Sequence, residues 1–534
     1  MDNQDFVILY APSGQTGETV LQFSSAPRVS VSNGSSVSYT IADNTITLNY
    51  ALGSVEYVSV DLSGSTVILA LMAKETASQW HAPMIPGEGT FGNYFSIGTN
   101  ETVLVGGPYL VRSAEISGNS LLLAGVLFSS RVVPSLTDVQ TGDLNGTTSV
   151  EVFAPQRVTT VEWNGKVQET SKTSQGSMTF SVAGVKSVPF PVLSNWKVSG
   201  SLPEVNPNFD DSTFTVANLT TTNGKYTNLP PLSGDQVLYA QQYGFYGGNL
   251  IFRGHFNASG DETAVNLTVQ GGFAFGYSAF LNGVFLGSNQ GSATVSVTAD
   301  VWPFPNGALR AGDNVFHGRI VETSTNGGKE PRGIRGAKIV GGNTTFSSWK
   351  LQGNQGGAAH APDTFRGYLN EGGLYAERIG AHLPGYPDAD WQEGTPLAGG
   401  GVQGAGVNFF RTTFNLSTPD GADIPTRLSI TPSDITSNFR VQIYLNGWQV
   451  GKYINNFGPQ TVFVLPAGIL RRNSENTLAL SLWSLDSDGA FIAGLELIAD
   501  GTFSTTLDIR DYTDAPDFLE QQQLRPPGAV VDPM

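Results

Sequence analysis

The 534-residue chain is 40% hydrophobic and only 14% charged, with 64 Gly and 29 Pro; that is too apolar for a disordered chain and too rich in turn formers for a helical bundle. Its net charge of -17 repels phosphate backbones and anionic lipids, so no nucleic-acid or membrane partner is expected. With no cysteine there is no disulfide framework, thiol nucleophile or cysteine-ligated metal. From the N-terminus, MDNQDFVILYAP lacks the basic stretch and apolar core of a signal peptide. Val29–Tyr39, Ser54–Leu62 and Gly176–Val182 alternate β-branched or aromatic residues with small polar ones, the pattern of half-buried strands. The apolar run Ser120–Phe128 is far shorter than the roughly 20 residues a membrane helix needs. Asn33-Gly34, Asn164-Gly165, Asn282-Gly283 and Asn446-Gly447 sit within such alternation, and Asn-Gly favours the hairpin turn with positive φ at both central positions. The expected class is all-β, as several β-sandwiches.

An internal repeat organises the second half. Ser194–Lys197 matches Ser347–Lys350, Ile251–Phe256 matches Phe409–Phe414, Ser278–Gly283 matches Gln442–Gly447, and Gly312–Val315 matches Ser474–Thr477. The anchors keep their order and nearly their spacing, as two copies of one domain would. The expected domains are 1–82, a β domain; 83–184, a second β region; 185–345 and 346–515, the two copies; and 516–534, a Pro- and Gln-rich tail outside any core. Within the copies, Arg253 and Arg411 lie on Phe-flanked strands and are expected to pair with Asp211 and Asp390. Val441, Ile443 and Leu445 are expected on one strand face, with Gln442 and Tyr444 on the other.

Chemistry-bearing residues are sparse. The histidines His81, His255, His317, His360 and His382 never show metal-ligand or protease spacing, so no metal site and no cofactor are expected. Eight N-x-S/T sequons, at Asn33, Asn100, Asn145, Asn218, Asn257, Asn266, Asn343 and Asn415, are glycosylation candidates. Trp80, Tyr243, Phe245, Tyr246, Tyr386 and Trp391 fall in loop-like stretches. Exposed there they could stack on a sugar; otherwise they are core or inter-domain aromatics.

The segments 194–214, 238–256, 275–288, 329–339, 370–385 (NEGGLYAERIGAHLPG) and 441–461 (VQIYLNGWQVGKYINNFGPQT) together resemble the C-terminal part of fungal β-galactosidases of glycoside hydrolase family 35. The resemblance implies the latter part of the family's second domain, its small third domain, and two galactose-binding-like jelly rolls at 185–345 and 346–515. It further implies hydrolysis of terminal non-reducing β-D-galactose, a galactoside or plant polysaccharide as ligand, an extracellular location, and an N-terminal (β/α)8 barrel as intramolecular partner. That barrel holds the family's two catalytic glutamates, and no βαβ alternation here would build one. Asn100-Glu101 and Asn370-Glu371 are the Asn-Glu pairs present, but neither sits in the family's acid/base context, so no catalytic residue is expected. Sugar-contact candidates are Trp80, Tyr243, Tyr246, Tyr386 and Trp391. The leading expectation is the non-catalytic portion of a β-galactosidase; a stand-alone carbohydrate-binding protein and an adhesive sandwich array are the alternatives.

Overall fold

A computed structural model describes residues 4–32, 36–87, 89–94, 97–130, 147–184, 189–223, 236–272, 275–321, 331–353, 370, 373–456, 458, 460–506 and 517–520. The protein is all-β. It divides into two compact units, one of residues 1–189, 418–425 and 499–509, the other of residues 190–417, 426–498 and 510–534.

In the first unit, Gln4–Ala11, Ser65–Ala73, Glu56–Leu62 and Arg28–Ser32 form one sheet in that order, and Thr16–Gln22, Thr45–Ala51 and Val37–Ala42 form another. The central strand Ser65–Ala73 reads as a continuous apolar run because both faces are buried. Leu69 and Leu71 join Ile46, Leu48, Val58 and Val60 on one side; Ile68, Ala70 and Met72 join Phe6, Tyr57 and Phe153 on the other. A further core gathers Val105, Leu121, Leu123, Val150, Val152, Trp163 and Phe180. Thr502–Ser504 and Ala422–Asp423 extend the sheet of Ser120–Ser130.

The second unit holds two sandwiches built on the repeat. One pairs a six-stranded sheet (Thr215–Val216, Ser348–Gln352, Asn249–Ala258, Gly312–Val321, Gly276–Leu281, Val284–Asn289) with a four-stranded sheet (Leu238–Tyr239, Gly333–Val340, Ala264–Gln270, Val297–Pro303). The other pairs Gln392–Glu393, Lys197–Gly200, Gly406–Asn415, Glu475–Ser484, Phe439–Leu445 and Trp448–Ile454 with Val462–Leu465, Thr426–Thr431 and Gly494–Ala499. Val441, Ile443 and Leu445 face this second core while Tyr444 lies in another cluster, as the alternation requires.

The opening strand of each sequence copy is hydrogen-bonded into the other copy's sheet. Lys197 lies opposite Arg411, and Lys350 lies opposite Arg253. Trp196 is accordingly buried in the core of the second sandwich, and Trp349 in that of the first. Each sandwich is completed by a strand from outside its own stretch of chain.

Three of the Asn-Gly pairs turn hairpins with positive φ at both residues: Asn164-Gly165, Asn282-Gly283 and Asn446-Gly447. Asn33-Gly34 lies outside the described residues, and its flanking strands do not pair with each other: Arg28–Ser32 pairs with Glu56–Leu62, and Val37–Ala42 with Thr45–Ala51. The tight turn in this region is Asp43-Asn44, at φ 46° and 62°. Asp and Asn tolerate that conformation through their short polar side chains. The tail is not wholly outside a core, because Phe518 is buried among Ala376, Ile379, Leu383 and Tyr386.

Candidate functional site

The repeat builds the same polar clasp twice. In the first sandwich Arg253 is fully buried, and its Nε donates to Asp211 at 2.7 Å. Its Nη1 donates to the carbonyls of Glu204 and Asn206, and its guanidinium lies 5.5 Å from the Phe209 ring. Lys350 Nζ donates to the other Asp211 oxygen at 2.7 Å. In the second sandwich Arg411 Nε donates to Asp388 at 2.8 Å, its Nη1 donates to the carbonyls of Ala381 and Leu383, and its guanidinium lies 5.5 Å from the Tyr386 ring. Lys197 Nζ completes the set at 3.0 Å from Asp388. The expected Arg253–Asp211 pair is present; the expected Arg411–Asp390 pair is not. Asp388 follows Tyr386 by the two residues that separate Asp211 from Phe209, and Asp390 is exposed.

Burial alone would raise both carboxyl pKa values. For Asp211 the hydrogen bonds from His255, Lys350 and Arg253 outweigh it, and for Asp388 those from Arg411 and Lys197 do, so both are held below the usual carboxylate range. The first clasp has one extra member. His255 Nε2 stands 3.0 Å from Asp211, and its Nδ1 is 3.2 Å from Asp313. The Asp211 contact raises the imidazole pKa. Position 413, the match to His255, is Thr413, so the second clasp has no imidazole there.

Beside the second clasp is a cleft of about 140 Å³ lined by Ser199, Gly200, Tyr375, Ala376, Ile379, Tyr386, Trp391 and Phe409. Tyr386 and Trp391 meet edge to face at 5.7 Å, and Trp391 meets Phe409 at 6.3 Å. Tyr386, Ala376, Ile379 and Phe409 are buried, whereas Trp391, Tyr375 and Ser199 are partly open. Burial raises the Tyr386 pKa, which keeps its hydroxyl protonated. Two sequence candidates for sugar contact thus meet here; Ser199 and Tyr375 carried no sequence signal, since a strand Ser and an aromatic in a short helix look structural.

The remaining candidates disperse. Trp80 stacks on Phe6 at 5.9 Å and lies so close over Gly106 that a Cβ there would come within 2.5 Å of its ring. That is a packing role. Tyr243 is buried in the first sandwich's core and donates its hydroxyl to the Val237 carbonyl at 2.7 Å, so it is not available for ring stacking. Phe245 is buried in the same core, and Tyr246 is 49% exposed. Glu101 pairs with Arg157. His360 and Glu371 lie outside the described residues, as do sequons Asn33 and Asn145; Asn100, Asn218, Asn257, Asn266, Asn343 and Asn415 are all exposed. Among the buried carboxylates without a sequence signal, Glu204 pairs with Arg378 at 2.5 Å, and Glu377 accepts from the Tyr444 hydroxyl at 3.1 Å.

Comparison with known proteins converges on one family. The description "Beta-galactosidase second all-beta domain" matches residues 209–317 and 375–488, one stretch per clasp arginine, and "Beta-galactosidase, domain 3" matches 80–128 and 139–179. The chain is 38% identical over 524 residues to "Probable beta-galactosidase C" of Aspergillus niger, covering 95% of this chain and 49% of that protein. It is 36% identical to the protein of the same name in Penicillium rubens, with 94% and 49% covered. To "Probable beta-galactosidase B" of Neosartorya fischeri it is 34% identical, with 92% and 47% covered. The chain spans about half the length of the curated relatives it matches.

Proposed function

We infer from the chain's membership of the β-galactosidase family, of which it is the non-catalytic all-β portion, that it serves as the structural frame of an enzyme hydrolysing terminal non-reducing β-D-galactose residues. Its partners in that role are a (β/α)8 barrel carrying the catalytic glutamates and a galactoside or plant polysaccharide. The observation that carries the reading is the secondary structure. The α-helices bounded by described residues, Lys74–Ala77 and Tyr375–Arg378, are four residues each, and a barrel needs eight parallel strands, each followed by a full helix. The clasp carboxylates support it too: Asp211 and Asp388 are already engaged by two or three cationic or imidazole groups each, which leaves them no part as acid or nucleophile. An extracellular location accords with six exposed sequon asparagines.

The test is hydrolysis of a chromogenic β-galactoside by the purified chain, beside a heat-denatured control and a galactose-inhibited sample. No turnover above the denatured control is expected. Turnover that galactose inhibits would overturn the reading.

A further inference from the structure

We propose that the Tyr375–Tyr386–Trp391–Phe409 cleft is a binding site for the ring of a neutral pyranose, one that holds a sugar without cleaving it. This goes beyond the enzyme reading and stands or falls separately from it.

The lining argues for the ligand class. Trp391 and Tyr375, both partly open, supply the ring surface against which the C–H face of a sugar can pack, and the buried rings of Tyr386 and Phe409 back the cleft. Three polar side-chain atoms on residues lining the cleft, Ser199 Oγ, Tyr386 Oη and Trp391 Nε1, have no hydrogen-bond partner among the described residues. The tryptophan nitrogen can only donate, while the two hydroxyls donate or accept, a set that suits the mixed roles of sugar hydroxyls. No charged side chain lines the cleft. The charges beside the cleft are paired, Asp388 with Arg411 and Lys197, and Arg378, 5.8 Å from the Tyr375 ring, with Glu204, so an anionic or cationic ligand would find no spare counter-charge. At about 140 Å³ the space equals four to five waters of roughly 30 Å³ each, well short of the roughly 300 Å³ of a drug-sized site. It takes one ring face of a terminal sugar, with millimolar affinity.

The first sandwich provides an internal control. There the clasp is built with Phe209 and Phe214, which meet edge to face at 5.8 Å as Tyr386 and Trp391 do at 5.7 Å. Phe209 holds the guanidinium of Arg253 at the same 5.5 Å as Tyr386 holds that of Arg411. The clasp therefore needs the rings alone. The hydroxyl of Tyr386 and the ring nitrogen of Trp391 are surplus to it, and both residues line the cleft.

The experiment uses the full chain, with ligand-observed saturation-transfer NMR on methyl β-D-galactopyranoside, methyl β-D-glucopyranoside, galacturonate and glycerol. A methyl pyranoside is expected to bind with a millimolar Kd. Tyr386→Phe and Trp391→Phe, which recreate the first sandwich's chemistry, each weaken it about fivefold, and Ser199→Ala about two- to threefold, within the range for single neutral hydrogen bonds. The thermal melts stay unchanged, which separates lost contacts from lost fold. Four results would overturn the proposal: no transfer from either pyranoside at about ten times a millimolar Kd, undiminished transfer in the Tyr386→Phe/Trp391→Phe double variant, equal transfer from glycerol, or tighter binding of galacturonate.

Discussion

Replacing Arg253 with alanine removes the centre of the first clasp. The guanidinium is fully buried and holds one carboxylate and three main-chain carbonyls. Breaking a buried ion pair from one side costs about 3–5 kcal/mol. Here Asp211 keeps Lys350 and His255, so its charge is not orphaned and that contribution falls to the low end. The carbonyls of Glu204 and Asn206 lose their donor, at about 1–3 kcal/mol for each buried group left unsatisfied. The expected net loss is about 5 kcal/mol, the low ends of these contributions taken together. Arg411→Ala removes the matching group, but Asp388 is partly open to water (24% against 9% for the Asp211 side chain); solvent softens the loss to about 2–3 kcal/mol. Urea unfolding followed by tryptophan fluorescence reads both, since Trp196 and Trp349 lie in the two cores. A loss below about 1 kcal/mol for Arg253→Ala, or a larger loss for Arg411→Ala, would refute this account of the clasp.

Because each sandwich borrows a strand, residues 190–345 expressed alone lack Ser348–Gln352 and leave Asn249–Ala258 without one neighbour; the fragment is expected to show no cooperative melt, and a sharp one would contradict the exchange. His255 has a raised folded-state pKa, so its contribution is fully present below the unfolded value near 6.5 and is lost as pH rises through the folded value. Asp211, with a lowered pKa, contributes above the unfolded value near 3.9 and loses that as pH falls. His255→Asn should therefore abolish a stability decline on the alkaline side of pH 6.5 while leaving the acid limb in place, as measured by melting temperature against pH. Asn446 turns a hairpin at φ 49° and bonds Ile469, Asn476 and Thr477 from a fully buried position. Asn446→Ala should cost about 2–4 kcal/mol, from lost buried hydrogen bonds and a strained φ, with Asn282→Ala giving a matching loss in calorimetry.

What could be read in the sequence was what local physics dictates. Asn164-Gly165, Asn282-Gly283 and Asn446-Gly447 announced their turns because few residues accept positive φ twice in succession. The alternation of Val441, Ile443 and Leu445 with Gln442 and Tyr444 fixed which side faced the core. The repeat was visible through Arg253 and Arg411, which must recur because the clasp does. Partner choice was hidden: period-two alternation in Lys197–Gly200 or Ser348–Gln352 says which face is apolar, not which sheet the edge joins. The pairing of Arg411 with Asp388 rather than Asp390 was, by contrast, legible: aligning Tyr386 with Phe209 places Asp388, two residues on, in the position of Asp211. Of the proposed sugar contacts, Tyr386 and Trp391 converge, whereas Trp80 and Tyr243 are held by packing that no single-sequence pattern reveals. Phe518 gives no periodic signal, because a single buried aromatic among Asp, Glu and Gln residues leaves no apolar pattern to read.

The central claim is that these β domains hold no glycosidic nucleophile, and covalent trapping tests it most directly. A retaining galactosidase forms a glycosyl-enzyme intermediate on a carboxylate, which a 2-deoxy-2-fluorogalactoside with a good leaving group accumulates. Intact-mass spectrometry of the chain after incubation with such a reagent is expected to return the unmodified mass. A stoichiometric gain of one fluorogalactosyl group, mapped to an aspartate or glutamate of the chain, would contradict the account.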